Sequence, residues 1–200
     1  MPGQNLTREE AAARAGLLSV ASYDIALDLT RGEETFPSTT TVRFSATPGA
    51  DTFIDLIAPA VHSVVLNGTS LDPAEVYADS RIALTDLQAD NELTVVADCA
   101  YMHTGEGLHR FTDPADGETY LYSQFEVPDS RRVFTVFEQP DLKASFTFTV
   151  TAPAGWTVFS NSPTPAPTPG AHEGTQVFAF APTERISSYI TAIVAGPYQG

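Results

Sequence analysis

The chain has 200 residues, 42% hydrophobic and 18% charged. That composition excludes intrinsic disorder and is long enough to bury a core without disulfide or metal staples. Its 25 acidic residues against 10 basic ones leave a formal charge of −15, which opposes binding to nucleic acid and to anionic membrane surfaces, because both select basic patches.

The N-terminal stretch "MPGQNLTREEAAARAG" lacks the cationic start and apolar run of a secretory signal. No run approaches the roughly 18 apolar residues that a membrane helix needs, so the expectation is a cytoplasmic protein with no membrane partner. Thr7 followed by Glu10 predicts a capping box that opens a short helix over "REEAAARAG", stopped near Gly16. Everything after it reads as β. In "SVASYDIALDL", Tyr23, Ile25 and Leu27 alternate with Asp24, Ala26 and Asp28, the period of a half-buried strand. "TTTVRFSA", "TFIDLI", "VHSVVLNG", "RIALTDL" and "ELTVVADCAYM" continue the series, and Cys99 in the last of these reads as a packed, inert thiol. As the only cysteine, it excludes an intramolecular disulfide.

"KASFTFTVTAP", "WTVFSN", "TQVFAFA" and "SYITAIVAG" complete the strand set, with "SPTPAPTPG" as a stiff surface loop joining "WTVFSN" and "TQVFAFA" across a long hairpin. Ten or more strands with local turns predict an all-β fold, antiparallel sheets packed face to face. "AIVAGPYQG" stops just after a strand, which carries the expectation that more protein follows.

Several chemistries find no support. "HEGTQ" has Gln176 where a zinc-protease helix needs its second His, and Gly170 and Gly174 make it a loop. There is no G-x-S-x-G elbow, and "GEG" at Gly105–Gly107 is too short for a dinucleotide fingerprint. The expectation is no catalytic residue and no metal or cofactor in this segment.

The stretch from Tyr120 to Val150, "YLYSQFEVPDSRRVFTVFEQPDLKASFTFTV", stands apart. Alternation sets Tyr122, Gln124 and Glu126 on one face and Leu121, Ser123 and Phe125 on the other, with Val127, Pro128 and Asp129 ending the strand. Arg131 and Arg132 follow, then Val133, Phe134, Val136 and Phe137, which anchor the turn to the core. Two readings stay open on spacing alone. Glu126 pairs with Arg131 or Arg132 and pins the turn, or Gln124 and Glu126 form a ligand-facing edge while the arginines pair elsewhere, for example with Asp129 or Glu138.

"SQFEVPDSRRVFTVFEQPDLKASFTFTV" resembles the signature of the N-terminal domain of the zinc aminopeptidases related to aminopeptidase N: a Gln-x-Glu strand end, an Asp-x-Arg-Arg turn, and an aromatic-acidic-x-Pro-x-x-Lys stretch leading into a strand. "SYDIALDL", "TGEGLHRFTDPADGETYLYSQFE" and "YITAIVAGPY" resemble the flanking strands and loop, so the likeness covers nearly the whole chain. It implies a saddle-shaped β-sandwich domain spanning residues 1–200, inactive alone and packed against its own catalytic domain, where one zinc ion would be bound downstream. It implies that Gln124 lines the pocket for the first side chain of a peptide substrate and that Glu126 helps hold the free α-amino group. Glu138 and Gln139 depart from the Asp-Glu pair that relatives often carry, in a part expected to support the turn. A β-sandwich module that grips protein or carbohydrate, and a scaffold relative whose catalytic part has lost zinc, remain the alternatives.

Overall fold

Thr7 caps the first helix as its spacing predicts. Its hydroxyl accepts from the Glu10 N–H at 3.2 Å, and the Glu10 carboxylate accepts from the Thr7 N–H at 2.8 Å. The computed structural model describes residues 5–198. Helix α1 (Arg8–Leu17) runs directly into β1 (Leu18–Asp28). There follow β2 (Thr35–Ala46), β3 (Thr52–Asp55), β4 (Ala60–Leu66), β5 (Thr69–Leu71), a one-turn helix α2 (Pro73–Val76), β6 (Tyr77–Ala78), β7 (Arg81–Leu84) and β8 (Asp90–Ala100). The second half holds β9 (Gly107–Thr112), β10 (Thr119–Gln124), β11 (Ser145–Pro153), β12 (Thr157–Phe159), β13 (Thr168–Pro169), β14 (Thr175–Ala179) and β15 (Val194–Gly196).

These strands make an eight-stranded sheet in the order β13-β14-β11-β1-β2-β8-β4-β5, a four-stranded sheet β12-β15-β10-β9 and a three-stranded sheet β3-β7-β6. Alternation decides which face each buries. Ile25 and Leu27 of β1, Phe36, Val42 and Phe44 of β2, Leu93, Val95 and Cys99 of β8, and Phe146, Phe148 and Val150 of β11 all lie inward. They join Ile54 and Ile82 of the three-stranded sheet and Leu108, Leu121, Val158 and Ala195 of the four-stranded sheet in one contiguous apolar core. The protein is an all-β sandwich with a short N-terminal helix. Burial pushes the Cys99 thiol up to about 12, so it stays protonated and unreactive.

Four local expectations need correction. β1 and β11 pair in parallel, Ser22 opposite Ser145 through Asp28 opposite Thr151; the long chain between them, 29–144, supplies the crossover that parallel neighbours require. "WTVFSN" and "TQVFAFA" are not hairpin partners: β12 pairs with β15, and β14 pairs with β11 and β13. The Asn161 side chain donates to Ile190 O at 2.9 Å and accepts from the Ala192 N–H at 2.8 Å, which draws β12 toward the four-stranded sheet. "SYITAIVAG" is not one strand, because Ser188–Ile190 forms a 3-10 turn with Ser188 pulled inward to the Glu138 carboxylate. α2 is a second helix, capped by Asp72 with Pro73 in its first turn, in a stretch whose Asp-Pro pair reads as a turn.

The stretch after the paired arginines does not resume as a strand until β11. A 3-10 turn (Ser130–Arg132) leads into residues 133–139, which are all buried. A buried backbone must still satisfy its N–H groups, and here other elements supply the acceptors. Thr135 N–H bonds to Thr40 Oγ1, Phe137 N–H to Tyr23 Oη, Val136 N–H to Asp55 O and Glu138 N–H to Asp55 Oδ2. Phe134 packs edge-on against Phe146 and Phe148, and Phe137 against Phe44.

Helix α1 is fastened to this segment by charge. Arg14 is buried; its Nη1 donates to Asp55 Oδ2 at 2.8 Å and its Nε to Gln139 Oε1 at 3.0 Å. Its guanidinium lies over the rings of Phe53 and Phe137 at 4.9 and 5.6 Å. Gln139 also donates to Ala11 O, and Arg81 reaches Glu10 at 2.7 Å. Removing one partner of a buried pair leaves the other charge uncompensated, so Asp55→Ala should cost about 3–5 kcal/mol of unfolding free energy. Urea titration of the purified chain checks this; a loss of only about 1 kcal/mol, typical of an exposed pair, would show that the pair does not hold α1.

Candidate functional site

The corner singled out by sequence lies at the end of the β9–β10 hairpin. Tyr120 stands opposite Phe111, Tyr122 opposite His109, and Gln124 opposite Gly107. β10 ends at Gln124, two residues before Glu126, because the Glu126 N–H leaves the ladder and donates to the Gln124 side-chain carbonyl at 3.2 Å. Its neighbour β9 stops at the same level, at Gly107, whose φ is +58°. Gln124 and Glu126 are both exposed, while Phe125 between them is buried against Phe134. They are therefore brought together at one rim, Gln124 on the strand and Glu126 in the turn.

The arginines of the turn have other commitments. Arg132 Nε donates to Asp129 Oδ1 at 2.7 Å, and its Nη2 lies 3.3 Å from Glu106 Oε2. The Arg131 side chain is buried, and its backbone N–H donates to Glu138 Oε2 at 2.9 Å. Glu138 also accepts from the hydroxyls of Ser130 and Ser188. Burial raises the Glu138 carboxyl above its ordinary value, and these hydrogen bonds oppose that rise. Glu138 thus supports the turn from beneath, whereas the Gln139 side chain is bonded to Arg14 and Ala11 of α1. No ion pair of Glu126 occurs among the described residues. The corner carries three carboxylates, Glu106, Glu126 and Asp129, and the partly exposed guanidinium of Arg132 is paired with two of them.

Beside this rim the four-stranded sheet turns an aromatic face outward. Register puts Phe111, His109, Tyr120, Tyr122, Val194 and Phe159 on that face. Phe111, Tyr122 and Phe159 are 47%, 42% and 44% exposed, more than the core-facing pattern of the other strands allows. Tyr198 packs edge-on against Tyr120 at 5.1 Å, and His109 lies 4.7 Å from the Tyr122 ring. Together with Asp113 they line an open groove of about 460 Å³. A larger concavity of about 590 Å³, sharing none of its lining residues, lies along β1, β2 and β8 of the eight-stranded sheet. Its two arginines are occupied, Arg43 with Asp24 and Glu92 and Arg185 with the carbonyls of Val20 and Lys143, so the rim of the four-stranded sheet is the better candidate.

Among the described residues no group of three or more His, Cys, Asp or Glu side chains could hold a metal ion. His172, of the imperfect zinc motif, has its Nε2 2.7 Å from Arg31 Nη2 in an exposed loop. No helix of the described residues is long and apolar enough to cross a membrane.

Residues 20–190 match the family described as Peptidase M1 N-terminal domain. The chain belongs to that family. The M1 N-terminal domain defined by this match includes both Gln124 and Glu126. Over 99% of the chain it is 63% identical to aminopeptidase N of Streptomyces lividans, of which it spans 23%. It is 31% identical over 72% of its length to aminopeptidase N of Acetobacter pasteurianus, spanning 45% of that protein. A probable M1 family aminopeptidase of Encephalitozoon cuniculi is 32% identical over 70% of this chain. The chain therefore spans less than half the length of these relatives.

Sequence reasoning missed Glu106 and Gly107, and of the aromatic face it named only Tyr122. The face had a usable signal: in "GLHRFT" the residue buried as a core anchor is Leu108, so Phe111 falls on the opposite, outward side. Gly107 is set by two constraints. A Cβ there would lie 3.0 Å from Arg132 Cβ, and its φ is in the left-handed region. Gly107→Ala should destabilise the M1 N-terminal domain by about 1–2 kcal/mol from the backbone alone, with a further loss from displacing Arg132. A melting temperature unchanged by this substitution would show that the corner is looser than its geometry indicates.

Proposed function

We propose that this M1 N-terminal domain is the substrate-capping part of a zinc-dependent aminopeptidase that releases N-terminal residues from peptides, and that it is inactive without its catalytic domain. The observation that carries the reading is the corner itself: an exposed carboxylate, Glu126, without an ion pair among the described residues, while Arg132 is held by Asp129 and Glu106. A substrate α-ammonium is best met by such an acceptor, through charge-assisted hydrogen bonds. Gln124, whose carbonyl is engaged by the Glu126 N–H, offers its NH2 group to the first residue of the peptide. An anchor on the free amine counts the chain from its end, so that only the first peptide bond reaches the reacting group.

The described residues do not fit a zinc site. In this reading the metal belongs to a catalytic domain beyond the chain, and no step of its chemistry is assigned to residues here. The aromatic face beside the corner is the surface on which that domain would dock, since exposed apolar patches of this kind mark interfaces. Tyr198 packs on the same face. We place the enzyme in the cytoplasm, whose reducing conditions suit a lone buried thiol. The open groove lined by Phe111, Tyr122 and Tyr198 favours one second reading, a non-catalytic module that grips a protein or carbohydrate there.

In the full-length protein, Glu126→Gln should lower kcat/KM about ten- to a hundred-fold, as expected for losing a charge-assisted contact of about 1.5–3 kcal/mol. Gln124→Ala should instead change the preference among N-terminal residues. Measured beside the melting temperature, an Glu126→Gln enzyme that is destabilised but kinetically unaltered would sink the amine-anchor role. Hydroxyl-radical footprinting separates the two readings of the face. Phe111, Tyr122 and Phe159 should be protected in the full-length protein and reactive in this chain alone; equal reactivity in both would favour the binding module.

A further inference from the structure

Resting on that reading, we infer that Arg132 is a positioning residue for the amine anchor, acting through a strut to Glu106 that fixes where Glu126 stands. The turn from Phe125 to Asp129 has no ladder partner, so its geometry depends on its two ends. One end is tied at Gln124, paired with Gly107 and bonded to the Glu126 N–H. The other end is Asp129, gripped by Arg132 Nε at 2.7 Å. The same guanidinium reaches Glu106 Oε2 at 3.3 Å, and Glu106 adjoins Gly107. The circuit closes: Gln124, Gly107, Glu106, Arg132, Asp129 and back along the turn to Glu126.

The packing supports a strut rather than a chance surface pair. Gly107 admits the Arg132 stem, whose Cβ and Cδ would lie 3.0 and 3.2 Å from any Cβ placed there. The Arg132 and Asp129 side chains are only 26% and 16% exposed, so the pair is shielded from the solvent that weakens open ion pairs. Two bonds in different directions from one planar group need the fork of an arginine; an ammonium on a flexible stem does not fix both. Arg132 touches no substrate in this account. It holds the frame in which Glu126 is presented.

The decisive variant is Arg132→Lys in the full-length protein, which keeps the charge and loses the fork. KM for peptide substrates should rise about tenfold, the effect of about 1.4 kcal/mol, with kcat held. On a Glu126→Gln background the same change should move KM by less than about twofold, because a residue acting through Glu126 has nothing left to position. Glu106→Gln, at a half-exposed site, should reproduce the KM effect in smaller measure and carries the test if Arg132→Lys fails to fold. Full additivity in the double variant, or a lowered melting temperature with KM unchanged, would overturn the inference and make Arg132 a structural pin. A Glu126→Gln single variant with unaltered KM would overturn the anchor reading itself, and this inference with it.

Discussion

The buried ion pair between Arg14 and Asp55 is the constraint on which the rest of the arrangement depends. It lies where three pieces of chain meet: α1, β3 and the segment 133–139, the last two joined by a single antiparallel bridge between Asp55 and Val136. A buried pair is by itself weak ground for stability, because desolvation can exceed the attraction. Here the surrounding contacts offset part of that cost, although Arg14 Nη2 is buried without a hydrogen-bond partner among the described residues. Asp55 also accepts from the Glu138 N–H, Arg14 also donates to Gln139, and the guanidinium lies over two aromatic rings. Since Asp55 serves both α1 and the buried segment, the helix and the turn are positioned by one carboxylate.

Two acidic groups around this knot respond oppositely to pH. Its contacts with Arg81 and Thr7 hold the Glu10 carboxyl at about 2, below its ordinary 4.5. A depressed folded-state value stabilises above the unfolded one, so that contribution is lost as pH falls from about 4.5 toward 2. Glu138 is raised by burial, so its contribution is present below its ordinary value and is lost as pH rises through the folded-state value. At neutral pH the fold therefore keeps Glu138 where an apolar group would be cheaper to bury. What it gains is three acceptor contacts, to Ser130, Arg131 and Ser188, that set the base of the turn bearing Glu126.

The strands were legible because alternation is a local property. Tyr23, Ile25 and Leu27 declare a buried face whatever β1 pairs with, and the Thr7–Glu10 box declares a helix start. Pairing is not local. The parallel match of β1 with β11 joins strands far apart in the chain, and the escape of β12 to β15 goes with Asn161 reaching Ile190 and Ala192. In the segment 133–139 the apolar residues declare a core anchor, but not its pairing: its N–H groups bond to Thr40, Tyr23 and Asp55 from three different elements. Gln124 and Glu126 stood out as candidates through a long motif, and the fold sets them at one rim; Glu106 did not stand out, since nothing in its neighbourhood marks a partner as distant in sequence as Arg132.

The corner and the aromatic face also bear on each other physically. An ammonium held by a carboxylate in open water gains little, because the high dielectric and mobile ions screen the pair. Glu126 on the uncovered chain is such an exposed carboxylate. Covering Phe111, Tyr122 and Phe159 would remove water from the sheet that ends at this corner and lower the local dielectric, strengthening the same contact without moving an atom of it. Under the proposed reading, amine capture is then a property of the assembled protein: the M1 N-terminal domain supplies the geometry, and the partner that covers its aromatic face supplies the dielectric in which that geometry binds.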